Sequence, residues 1–250
     1  MIDARGGHRR FYLSTLLKVL KIGGVLLLLV GGHVHANLVI NSTRVIYNGV
    51  SRDVTVSVTN EDTKPSLMQS WIDAGNPDSI PDEEDAPFSL LPPIARVNGG
   101  TSQALKIAWN GDSLPTDRES VFYLNVMDIP PDPSGLDGNY VQFAIRTRIK
   151  LFFRPAGLGG RADSAPRQLV WQQVGPAIHL SNPTPYHVSI NRIMDAKSGR
   201  SISHDIGMVS PFSARDFKTD ANVRAVTPRD LQIETINDYG GNTISTIHPR

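Results

Sequence analysis

From Asn37 onward the chain carries almost no helical periodicity; apolar residues instead alternate with polar ones, or run together, over stretches of strand length. Such stretches occupy 53–60, 67–72, 104–109, 121–127, 140–153, 168–171, 177–180, 187–193, 231–236 and 243–247. Turn-forming residues punctuate them, among them Asn48-Gly49, Asn98-Gly99-Gly100, Asn110-Gly111-Asp112 and Lys197-Ser198-Gly199. Many short strands at regular spacing predict antiparallel sandwiches. The segment 155–166 holds three glycines and two prolines with little apolar content, which predicts a loop or linker. The reading is therefore all-β, with two sandwiches at 37–156 and 157–250, and a chain of 250 residues is long enough to bury both cores.

One stretch is longer than its neighbours. Residues 139–155 read NYVQFAIRTRIKLFFRP, about a dozen residues of strand where roughly five or six is typical. Val141, Phe143 and Ile145 share one face at period two, and Gln142, Ala144, Arg146, Arg148 and Lys150 share the other. A half-buried strand with a solvated basic edge explains the alternation; a strand shared with another chain also explains its length. On an unbroken strand Lys150 falls opposite Val141, Phe143 and Ile145, so a twist or bulge is needed to bring them to one side.

The first 36 residues differ from the rest. Arg5, His8, Arg9, Arg10, Lys18 and Lys21 precede an apolar run over 22–30, and Val34-His35-Ala36 follows. This is the pattern of a secretory signal peptide at 1–36, cleaved after Ala36. The apolar run is well short of the ~20 residues a membrane span requires. The chain contains no cysteine, so an exported protein of this sequence holds together by burial alone, without disulfides, thiol chemistry or a cysteine-based zinc site. A formal net charge of +1 gives no global reason to expect nucleic acid or an acidic membrane as partner.

Six blocks carry a resemblance. They are residues 117–126 (DRESVFYLNV), Ile129-Pro130-Pro131, residues 148–155 (RIKLFFRP), Asn182-Pro183-Thr184-Pro185-Tyr186, Val209-Ser210-Pro211-Phe212-Ser213 and Asn237-Asp238-Tyr239-Gly240. In this order, over nearly all of the mature chain, they resemble the signature blocks of the periplasmic pilus-assembly chaperones, the PapD-like family. The resemblance implies two immunoglobulin-like domains in a boomerang. It implies a non-enzymatic protein of the Gram-negative periplasm that binds pilus (fimbrial) subunits by donor-strand complementation and delivers them to an outer-membrane usher. By position the lent residues are Val141, Phe143 and Ile145, and the basic pair that anchors the subunit's terminal carboxylate is Arg44 and Lys150. A guanidinium and an ammonium are chemically apt for that role, since both give charge-assisted hydrogen bonds. The resemblance further implies an interdomain charge network of Glu119, Arg154 and Asp238. The short loop at 132–139 and the lack of cysteine look like the short-loop branch of the family. An exposed donor edge is also compatible with self-association of the free protein. No cofactor, metal or small-molecule substrate is expected.

A second reading comes from Gly111-Asp112-Ser113-Leu114, the four-letter core of a secreted serine esterase family with Ser113 as nucleophile. Neither a following helix signal nor an Asp-x-x-His is present, and a turn between strands fits better. His179, His187, His204 and His248 lack metal-site spacing, and the acidic run at 82–85 between Pro81 and Pro87 reads as a solvated loop. A third reading, a carbohydrate-binding sandwich, needs an exposed aromatic platform, whereas Trp71, Trp109 and Trp171 sit in separate predicted strands, where core packing is the better assignment.

Overall fold

The computed structural model describes residues 38–81, 86–132, 141–220 and 230–250. The expected leader peptide at 1–36 with cleavage after Ala36, the acidic run at 82–85 and most of the loop at 132–139 therefore lie outside the described residues. The first sandwich is built from β1 (Leu38–Ile40), β2 (Arg44–Asn48), β3 (Val54–Asn60), β4 (Ser66–Asp73), β5 (Phe88–Leu91), β6 (Ile94–Val97), β7 (Ser102–Trp109), β8 (Ser120–Ile129) and β9 (Ile145–Arg154). One sheet runs β1-β3-β7-β5, and the facing sheet runs β2-β9-β8-β4-β6. All pairs are antiparallel except β2 with β9.

The alternation in these strands is what closes the core. In β3, Val56 and Val58 point inward, and in β7 Leu105 and Ile107 meet them, all at most 4% exposed. Opposite them stand Val45 and Tyr47 of β2, Met68 and Ile72 of β4, Leu124 and Val126 of β8, and Leu151 and Phe153 of β9. Phe153 lies at the aromatic centre: its ring is 4.9 Å from Trp109 and stacks on Tyr47 at 5.8 Å. The Tyr47 hydroxyl donates to the Ser51 and Arg52 carbonyls and accepts from the Trp109 amide, so the phenol oxygen is satisfied within the cluster.

The second sandwich comprises β10 (Val170–Val174), β11 (Ala177–Asn182), β12 (Val188–Asp195), β13 (Ser201–Ser203), β14 (Gly207–Val209), β15 (Ser213–Lys218), β16 (Leu231–Ile236) and β17 (Asn242–Pro249). Its strands form one continuous path, β13-β12-β16-β17-β10-β11-β15, with β14 added on β12. The hinge of that path is β17, which is antiparallel to β16 over most of its length and then parallel to β10 at Val170 and Trp171. Trp171, Leu180, Ile190, Ile193, Phe217, Leu231, Ile233 and Ile247 fill the enclosed core. Trp71 and Trp171 are 1% and 2% exposed, Trp171 in the second core and Trp71 on the outer face of its sheet beneath Arg146, so neither can form a sugar platform.

Two features depart from the sequence expectation. The segment 155–166 contains turns but is not a loose tether: Leu158 and Ala162 pack on the second core, Ala165 opens a short 3-10 turn (Ala165–Gln168), and the Tyr186 hydroxyl donates to the Gly160 carbonyl. The long strand expected at 140–153 starts only at Ile145, and residues 141–144 carry no ladder. Its register with β8 runs without a shift from Asp128↔Ile145 to Ser120↔Phe153, so among the described residues no bulge re-aims Lys150.

Phe153→Ala removes the centre of the aromatic cluster and leaves a cavity that Tyr47 and Trp109 cannot close. The expected cost is about 3–5 kcal/mol of stability in urea unfolding followed by tryptophan fluorescence, and a loss under ~1 kcal/mol would show that the site collapses instead.

Candidate functional site

The strand β9 has two neighbours over only half its length. Residues Lys150 to Phe153 pair with both β2 and β8, Arg154 pairs with β2 alone, and Ile145 to Ile149 pair with β8 alone. Among the described residues, a row of backbone donors and acceptors is therefore open on one side of 145–149. Just before it, Val141 and Phe143 are 77% and 72% exposed, and Ile145 at the start of the strand is 37% exposed. Exposure of three large apolar side chains in sequence is unlike the surrounding surface, which buries its alternating residues.

The open edge ends at a basic pair. Arg44 is the first residue of β2 and stands in register with Lys150 of β9. Equal parity on adjacent strands puts the two side chains on one side of the sheet, away from the face shared by Val141, Phe143 and Ile145. The basic pair and the apolar row are thus on opposite faces, with the bare backbone edge between them. Arg44 is held from the second sandwich: its Nη1 donates to the Ile236 carbonyl at 2.9 Å, and its guanidinium sits 5.8 Å from the Phe152 ring centre. Burial lowers the Arg44 pKa, with Asp238 and Glu119 opposing that shift. Burial also lowers the Lys150 pKa, and repulsion from Arg44 and then Arg215 adds to it. Lys150 makes no salt bridge or side-chain hydrogen bond among the described residues, so its ammonium is available.

The other members of the cationic stripe are not available. Arg148 makes a bidentate pair with the buried Asp73, and Arg146 spends its donors on Asn125, Ser79 and the Pro77 carbonyl. The expectation of a solvated basic edge is corrected on this point: of three cations at period two, two are consumed and Lys150 alone is presented. Alternation in the sequence could not reveal this, because the consuming groups come from β4, β8 and the 76–79 turn.

Arg154, at the far end of β9, joins three segments. Its Nε donates to Glu119 at 2.7 Å, and its two terminal nitrogens donate to both oxygens of Asp238 at 2.8 and 3.0 Å. Glu119 also accepts from the His187 amide at 2.8 Å. Burial opposes the Arg154 charge, but Asp238 and Glu119 outweigh it and hold the guanidinium's pKa above its ordinary value. Asp238 is aimed by the turn Asn237-Asp238-Tyr239-Gly240, in which the Gly240 amide donates to the Asn237 carbonyl. Gly240 has φ +83°, and a Cβ there would run into the Thr43 hydroxyl, one residue before Arg44, so only glycine fits.

The remaining candidates are not brought together. Ser113 lies exposed in the turn between β7 and β8, and none of the described histidines hydrogen-bonds to it. His179, His204, His248 and His187 pair separately with Asp216, Asp220, Asp230 and Glu119. No cluster of three or more metal-ligating side chains occurs among the described residues.

Comparison with known proteins matches both sandwiches. The family model of the pili and flagellar-assembly chaperone PapD N-terminal domain matches residues 37–159, and that of the pili assembly chaperone PapD C-terminal domain matches 164–247. Chaperone protein FimB/FhaD of Bordetella pertussis is 39% identical over 233 residues, 91% of this chain and 94% of its own length. Among solved structures, the CupB2 chaperone of Pseudomonas aeruginosa is 37% identical with a TM-score of 0.73, over 85% of this chain and 100% of that one. A chain from the complex of the Salmonella enterica SafA pilin with the SafB chaperone is 25% identical with a TM-score of 0.74, over 87% and 98%. These relatives are chaperones and not enzymes, which removes the esterase reading of Ser113. The chain belongs to the PapD-type pilus-assembly chaperones.

Proposed function

We propose that this chaperone works in the Gram-negative periplasm, where it lends the edge of β9 to an incomplete pilus subunit, holds the subunit's terminal carboxylate on Arg44 and Lys150, and passes it to an outer-membrane usher. One observation carries the reading: the bare stretch of β9 ends directly before the residue whose ammonium is unpaired and stands beside Arg44. A subunit strand added along 145–149 would satisfy the open backbone row, and a carboxylate at its end would meet two cations that burial has already stripped of much of their water. Val141, Phe143 and Ile145 would fill the subunit's groove at about 1.5–3 kcal/mol each if fully buried. The complex of SafB with a pilin among the relatives supports a pilus subunit as the partner. The relative SfaE, named a periplasmic chaperone and 32% identical to this chain, supports the compartment and with it export through a cleaved leader at 1–36.

In this reading Glu119, Arg154 and Asp238 form a structural network that fixes the angle between the sandwiches. Asp238→Asn keeps the shape but weakens two charge-assisted hydrogen bonds. The melting transition followed by circular dichroism is expected to fall, with a loss of about 1–2 kcal/mol after allowance for the partial exposure of Asp238; an unchanged transition would remove the network from the account.

The anchor is tested by co-purification of tagged mature protein from periplasm expressing a fimbrial subunit. Wild-type protein is expected to retain the subunit, and an Arg44→Ala, Lys150→Ala double variant to lose it at least ~100-fold, from roughly 1.5–3 kcal/mol per charged hydrogen bond. Equal capture would place the anchor elsewhere.

A pH dependence follows from Lys150. A carboxylate binds its protonated form, and the free cleft has a lowered Lys150 pKa that an incoming carboxylate pulls back up. Affinity is therefore full below the free-state pKa and declines as pH rises through it. Titrating the dissociation constant should show this step in wild type and not in Lys150→Arg, which stays charged; the same step in both would assign it to another group.

A further inference from the structure

The face of β9 turned away from Val141, Phe143 and Ile145 carries a polar assembly that the carboxylate anchor does not use. At its centre is Asp73, the last residue of β4, with a side chain 3% exposed. Arg148 Nε and Nη2 donate to its two oxygens at 2.9 and 2.5 Å, Asn125 Nδ2 donates to Oδ2 at 2.8 Å, and the Gly75 amide donates to Oδ1 at 2.7 Å. Arg146 continues the assembly: Nε and Nη2 both donate to Asn125 Oδ1, Nη1 donates to the Pro77 and Ser79 carbonyls, and Nη2 reaches the Ser79 hydroxyl. The Trp71 indole N–H donates to that same hydroxyl at 3.0 Å. Both guanidinium groups also lie on aromatic faces, Arg146 4.8 Å from Trp71 and Arg148 3.6 Å from Tyr123. Burial opposes the Asp73 charge, yet Arg148 and Asn125 hold its pKa below the ordinary carboxylate value, so the ionised form is the native one.

The position of this assembly is informative. Arg146 and Arg148 alternate along the same five residues, 145–149, that lack a second strand neighbour. An edge strand paired on one side only is expected to fray, because half of its backbone groups have no partner. Here it is bolted from its outer face to β4, β8 and the 76–79 turn by seven hydrogen bonds from two side chains. Residues 141–144 lie just before the first bolt and carry no ladder.

We infer that Asp73, Arg146 and Arg148 are positioning residues for subunit capture: they hold 145–149 extended in the free protein, with its open edge already in binding geometry, so that ordering this stretch is not charged against binding. Holding a segment in its bound shape beforehand raises affinity without adding a contact, and it acts on association more than on dissociation. The inference rests on the proposed lending of this edge. It differs from the anchor in that none of the three residues touches the subunit.

The test uses purified mature protein and a defined probe, a short synthetic strand peptide of alternating valine and threonine with a free terminal carboxylate, beside its terminal amide. Two variants are compared with wild type, Asp73→Asn and Arg146→Met, the second keeping the apolar stem at a partly exposed site. Amide hydrogen exchange at 145–149 in the free variants is expected to quicken about tenfold, with exchange in β3 and β7 unchanged. Peptide association is expected to slow by roughly three- to tenfold with dissociation changed less than twofold. Exchange and association equal to wild type in both variants would overturn the inference, as would slower association with no change in exchange at 145–149. Loss of structure in Asp73→Asn leaves Arg146→Met as the deciding variant. If wild type itself does not distinguish acid from amide peptide, the anchor reading fails, and that outcome is separate because the exchange data do not depend on the probe.

Discussion

The five-residue parallel pairing of β2 with β9 is the constraint on which the rest depends. Because β2 begins at Arg44, support for β9 on that side begins at Lys150, and everything before it has an open edge. A longer β2 would cover the edge, and a shorter one would leave Leu151 and Phe153 unsupported at the core. The pairing also fixes which cations become neighbours, since register alone puts Arg44 beside Lys150. Two like charges side by side, partly buried, have a cost that only an anion can relieve. The same strand therefore presents a need for backbone partners and a need for negative charge, one residue apart.

The two faces of β9 divide the remaining work. One contributes Leu151 and Phe153 to the core and, further along, leaves Ile145 exposed. The other is locked by Asp73, Asn125 and Ser79 until Lys150, where the polar assembly stops. Beyond Lys150, Arg154 turns the end of the strand into the joint with the second sandwich. Core, edge, anchor and joint thus follow one another along ten residues, and a change in one is felt in the others through a backbone that has little room to slip.

Much of this was legible in the sequence. Period-two alternation identified β3, β7, β8, β16 and β17 to within a few residues, because each buries one face against a single core. It missed β1, β2, β5, β6, β13, β14 and β15, and in three of these other rules dominate. Pro92 and Pro93 separate β5 from β6 and read as a turn, and β15 buries only Phe217 among Ser213, Ala214, Arg215, Asp216 and Lys218. Alternation also overran the start of β9, since Val141 and Phe143 continue the pattern without a ladder to hold it. Arg44, Lys150, Glu119, Arg154 and Asp238 were legible only through likeness to a family, because their neighbours are up to 192 residues away in sequence. The roles of Asp73 and Asn125 gave no local signal at all: an aspartate at the end of a strand looks the same whether it caps a turn or holds two arginines.

The bond from Arg44 to the Ile236 carbonyl has a consequence for how small such a protein can become. The first sandwich has its own core and the whole of β9, and in isolation it would keep the open edge. It would not keep Arg44 in place, because the acceptor that fixes the guanidinium belongs to the other sandwich, and the Asp238 carboxylate that offsets its desolvation goes with it. A freed Arg44 would rotate into water and sample many rotamers, losing the alignment with Lys150 that makes a two-point grip. In the proposed reading the second sandwich is therefore part of the grip itself, and the smallest unit able to seat a carboxylate at this edge is the pair of domains.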